Sequence, residues 1–128
     1  MLYKKHFSLI QARESLVYIK PLLKKIIELK NVLDARGVKE EKYFFMGTIG
    51  KNGTGTYPKE MYEMIGLIQK VKETGVELKR LDIGLIDFPH LRTNGEEVYL
   101  CYFYGEPDIL YWHSIEDGFA GRISVDEL

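Results

Sequence analysis

The chain is short of several things, and each shortage excludes something. A single cysteine, Cys101, among 128 residues rules out an internal disulfide and suits a reducing compartment. No apolar run approaches the roughly 18 residues that a membrane-spanning helix needs. Arg13 and Glu14 interrupt the apolar stretch that follows Lys4, Lys5 and His6, so no signal-type segment is read there. The cytoplasm is the expected compartment, with no membrane partner. Bases are scarce in the last third: only Arg92 and Arg122 stand against ten acids between residues 81 and 128, a net charge of −8. Such a lobe repels phosphate backbones, so nucleic acid is not an expected partner.

What is present fits one ordinary globular domain, residues 1–128, with 45% hydrophobic and 29% charged residues. The whole chain carries −1, but residues 1–33 hold seven bases against two acids. The basic start and the acidic end are expected to offset one another within the fold, although an acidic lobe also favours cations.

Two amphipathic helices are predicted over residues 8–74. Ser8 and Gln11 have the spacing of a capping box. Leu9, Ala12, Leu16, Ile19, Leu23, Ile26 and Leu33 then recur at three- and four-residue steps, broken only by Lys30. Pro21 removes a backbone donor and is expected to kink this helix, and Gly37 ends it. Pro58 opens a second helix with Met61, Met64, Ile65, Ile68 and Val71 on its apolar face, stopped by Gly75. Between them, residues 47–56 are rich in glycine. They fail the phosphate-loop pattern because Asn52, not Ser or Thr, follows Lys51. A mobile loop that binds no phosphate is expected.

From Val76 the apolar period becomes two, with a change of phase that implies a bulge near Lys79–Arg80. Asn94–Gly95 is a hairpin signal before Val98 to Tyr104, a run without a charge on either face. A strand apolar on both sides is central and covered twice. Ile109 to Trp112 reads as a third strand. The expected fold is therefore α+β: an antiparallel helical hairpin on a small, mainly antiparallel three-stranded sheet formed by residues 75–123. Two helices cover one face of such a sheet, and the other needs the C-terminal tail or a second subunit.

The densest chemistry follows Gly84: Gly84-Leu85-Ile86-Asp87-Phe88-Pro89, Tyr99-Leu100-Cys101, Gly105-Glu106, Trp112-His113 and Gly118-Phe119-Ala120-Gly121-Arg122. In that order, with Phe7-Ser8, Ala12 and Pro21-Leu22-Leu23, these segments resemble the prokaryotic domain-of-unknown-function family 2203. The resemblance covers residues 7–36 and 58–122. Tyr102 stands where the family usually has a Trp, and Ser124 where it usually has a Pro. The family has no established activity, so the resemblance implies a unit and no reaction.

Asp87, Glu106, His113 and Arg122 are the candidate ligand-binding residues. Asp87 at a strand end could bind a metal, act as a base, or accept backbone amides at a turn. A divalent metal is a candidate cofactor, with Asp87, His113 and Glu116 as ligands and His90 as a further donor. No two-His helical spacing or paired cysteines support that set, and a histidine that hydrogen-bonds a carboxylate is the plainer reading. Cys101, inside an apolar strand, reads as a small hydrophobe. Arg122 offers a fork to an anionic ligand or to Glu106 or Asp87. Two functions are consistent with this pattern. One is a self-associating binding or interaction module, a homodimer or larger homo-oligomer. The other is a metal-dependent, hydrolytic enzyme.

Overall fold

Ser8 begins the first helix as its sequence suggests. Its Oγ accepts from the Gln11 amide at 3.1 Å, and the Gln11 side chain accepts from the Ser8 amide at 3.0 Å. Helix α1 (Leu9–Ala35) then continues through Pro21, whose ring lies on the exposed side. Gly37 closes it with φ 77°, a conformation favourable to glycine. The Gly37 amide bonds Asp34 O and the Val38 amide bonds Leu33 O, both at 3.0 Å. Lys30, the break in the apolar stripe, is buried along its stem while its ammonium reaches Asp34 at 2.7 Å. These features come from a computed structural model, which describes residues 1–38 and 58–128. The glycine-rich stretch 47–56 lies outside the described residues.

Helix α2 (Lys59–Glu73) runs antiparallel to α1. Arg36, at the end of α1, bonds Glu60 at 2.8 Å, and Lys5, before its start, donates to the Thr74 carbonyl at 2.8 Å. Ala12, Leu16, Ile19, Leu23, Ile26, Leu29 and Leu33 meet Met61, Met64, Ile65, Ile68 and Val71 in one core. Each fully buried Leu or Ile contributes about 1.5–3 kcal/mol relative to an exposed one.

The α+β class and the antiparallel sheet are as expected, but the sheet has five strands rather than three. They are β1 (Glu77–Arg80), β2 (Leu85–Leu91), β3 (Glu97–Tyr102), β4 (Tyr111–Ser114) and β5 (Ile123–Ser124), in the order β1-β2-β3-β4-β5. The change of phase after Lys79 has two causes. A bulge shifts the register between Leu78 and Arg80, and the chain then reverses at residues 81–84. The reversal turns one expected strand into two. Asp82 holds the turn by accepting from the Ile83 amide at 3.1 Å, and Gly84 ends it at φ 63°. A Cβ on Gly84 would lie 3.1 Å from Tyr104 Cβ and 3.2 Å from Ile27 Cδ1, so α1 leaves no room for a side chain. The expected strand Ile109–Trp112 begins two residues later, and β5 is too short for any periodicity to reveal it.

Strand β3 is central and buried from Val98 to Tyr102, as its uncharged run implies. Ile86, Phe88, Val98, Leu100, Tyr102 and Trp112 join the core that contains the helices. Pro89 sits within β2 without disrupting it. Its carbonyl accepts from the Phe7 amide at 2.7 Å, so its missing N–H falls on that same side, away from β3.

Candidate functional site

Side-chain alternation places Asp87, Tyr99, Cys101, Tyr111 and His113 on the face opposite the helical core. There the register aligns Glu77 with Asp87, Asp87 with Cys101, Cys101 with Tyr111, and Tyr111 with Ser124. One row thus crosses all five strands. Tyr99 pairs with His113 in the next row. The chain's own ends pack on this face. Arg122 lies 4.3 Å over the Tyr111 ring and 4.8 Å from the Phe119 ring, and Tyr3 packs edge-on to Tyr99. The Tyr3 hydroxyl donates to Glu77 at 3.0 Å and hydrogen-bonds the Tyr99 hydroxyl. Burial and these acceptors hold the Tyr3 phenol well above its usual range.

Asp87, Cys101 and His113 are only 3%, 0% and 2% exposed. His113 Nε2 meets Asp87 Oδ1 at 3.0 Å, and His113 Nδ1 donates to the Ser114 carbonyl at 2.7 Å. The ring also lies against Tyr99, with centroids 5.4 Å apart. Burial works against a charged ring, but the bonds to Asp87 and Ser114 outweigh it and raise the His113 pKa. Both bonds favour the protonated ring. Cys101 faces the same carboxylate. Burial first, and Asp87 second, push its thiol up to about 12, against the opposing pull of Arg122. A thiol in that state is a poor nucleophile.

Arg122 closes the network. Its Nη2 donates to Glu106 at 2.5 Å and reaches the Cys101 carbonyl at 3.4 Å. Glu106 also accepts from the Phe103 amide at 2.9 Å, which fastens the loop after β3. Of the two partners considered for Arg122, Glu106 is the one it takes.

The candidate residues therefore fall into two adjoining pairs, Asp87 with His113 and Glu106 with Arg122. The third metal candidate, Glu116, is exposed on the turn after β4. His90 points to the helical side, where its Nδ1 donates to the Phe7 carbonyl at 2.6 Å. Among the described residues, the group of three potential metal donors that converges is Asp87, Cys101 and His113. Cys101 thus takes the place expected of Glu116. The hairpin brings Asp87 and Cys101 together, since its three-residue loop centres on Asn94, from which the two are equally distant.

A family model described as "Uncharacterized conserved protein (DUF2203)" matches residues 5–125. The chain belongs to this family. The match spans both helices and all five strands of this DUF2203 protein, the buried network included. No curated protein and no solved structure matches the chain.

Proposed function

We propose that this DUF2203 protein is a self-associating interaction module, in which the outer face of α1 docks on the acidic C-terminal turns of a second copy. The observation that carries this reading is an apolar patch on α1. Ile10, Val17 and Tyr18 are 72%, 76% and 55% exposed, and Ile10 and Val17, seven residues apart, share a stripe with exposed Pro21. Lys24 and Lys25 flank it, exposed and without an ion pair to another described residue. The expected internal offset of basic helix and acidic lobe is slight: only His6–Glu97 and Arg13–Asp108 join residues 1–33 to residues 81–128.

The acidic lobe offers the complement. Phe119 and Tyr104 are exposed, with Glu116 and Asp117 beside Phe119. A two-fold arrangement makes each contact twice, α1 of one copy against the turns of the other. The other surfaces considered for association are used within the chain: the inner stripe of α1 by α2 and the sheet, the second sheet face by the chain's own ends. Burial of Asp87, Cys101 and His113 closes them to a substrate, which supports binding rather than catalysis. Val17→Glu tests the reading. It places a charge at the centre of the patch, outside the buried core, so it should yield a monomer that still melts cooperatively. A variant that keeps the oligomeric mass of the parent would contradict the assigned surface.

A further inference from the structure

We propose that Asp87, Cys101 and His113 form a buried binding site for a thiophilic divalent cation of the zinc class. Their donor atoms all lie within 4.8 Å of one another, on three neighbouring strands. With bonds of about 2.0–2.3 Å, donors around a tetrahedral zinc ion stand roughly 3.3–3.8 Å apart, so side-chain adjustments of about an ångström suffice. A thiolate, an imidazole and a carboxylate together select zinc over magnesium or calcium, which take oxygen donors.

The surroundings are those of a metal site. The His113 Nδ1–H is committed to the Ser114 carbonyl at 2.7 Å, which fixes the ring and directs Nε2 at Asp87. Metal-bound histidines are oriented in this way by their second nitrogen. Two of the three donors, a carboxylate and a metal-bound thiolate, supply the two negative charges that a divalent cation requires. Arg122, the nearby cation, is already neutralised by Glu106 at 2.5 Å.

The test uses the untagged full chain, unfolded with a chelator and refolded with Zn²⁺ or Co²⁺ alone. One ion per chain is expected, with a raised melting temperature and, for cobalt, thiolate-to-metal charge-transfer absorption. Cys101→Ser preserves the shape of the buried side chain and should abolish that absorption while still melting cooperatively. His113→Gln should weaken binding by at least the roughly 10–100-fold that loss of an outer partner costs. Glu116→Gln should leave binding unchanged. Substoichiometric metal, cobalt bound without thiolate absorption, or equal binding by Cys101→Ser would overturn the site.

Discussion

His113 and Asp87 are joined at 3.0 Å across a sheet face where each is almost wholly buried. Neither charge has access to bulk water, so each depends on the other. Removing one partner leaves a buried ion without compensation, which costs about 3–5 kcal/mol. Asp87→Ala is expected to lose that much in urea unfolding. A loss under about 1 kcal/mol, the scale of an exposed pair, would show that the two charges are not mutually required.

The same pair sets a pH dependence. The folded-state pKa of His113 is raised, so its contribution is complete below the unfolded value of about 6.5 and fades as pH rises through the folded value. Wild type should lose stability relative to His113→Gln on the alkaline side, and not on the acid side of that window. Melting curves of the two proteins across that range measure it. A stability difference independent of pH would show that folding leaves the His113 pKa unshifted.

Arg122 and Glu106 form the second pair, and their side chains are 13% and 8% exposed. Arg122→Ala should cost roughly 3–5 kcal/mol, because a largely buried carboxylate is left unpaired. Arg122→Lys should restore little. An ammonium does not reproduce a guanidinium that bonds Glu106 and the Cys101 carbonyl while lying 4.3 Å over the Tyr111 ring and 4.8 Å from the Phe119 ring. Thermal melts of the three proteins decide the matter, and full rescue by Lys would reduce the role of Arg122 to its charge alone.

Cys101 should be inert. With its thiol buried and pushed up to about 12, it forms almost no thiolate at neutral pH. Iodoacetamide is expected to leave the native protein unmodified and to alkylate it fully in denaturant. Rapid modification of the native state would show that the sheet face opens easily.

Much of this was legible in the sequence, because it rested on local rules. Ser8 with Gln11, Gly37, Pro58 and Gly75 mark the helix ends by capping chemistry alone. The uncharged run from Val98 placed β3 at the centre of the sheet. The Asn94–Gly95 signal marked the hairpin but not its register: read as a two-residue turn it sets Asp87 against Tyr102, whereas the chain makes a three-residue loop between Arg92 and Glu96 and pairs Asp87 with Cys101. His113 could not be placed by counting from a turn either. The loop from Phe103 to Leu110 is irregular, held by Glu106 and Arg122, and no pattern sets the register of β4. The turn at residues 81–84 was hidden because its apolar residues Leu81 and Ile83 keep a two-residue period with Leu85, so the change of phase reads as a bulge within one strand. Tyr3 gave no signal at all: its bond to Glu77 joins residues 74 positions apart that no local pattern links.

Self-association through α1 and the acidic turns is tested most directly by light scattering of a charge-exchange series at low and high salt. The wild-type protein at micromolar concentration should have the mass of a dimer and dissociate as salt screens the lysine–carboxylate contacts. Lys24→Glu with Lys25→Glu should give a monomer, and adding Glu116→Lys with Asp117→Lys should restore the dimer. A wild-type protein that is a strict monomer at low salt, or a dimer indifferent to both exchanges, would contradict the assignment.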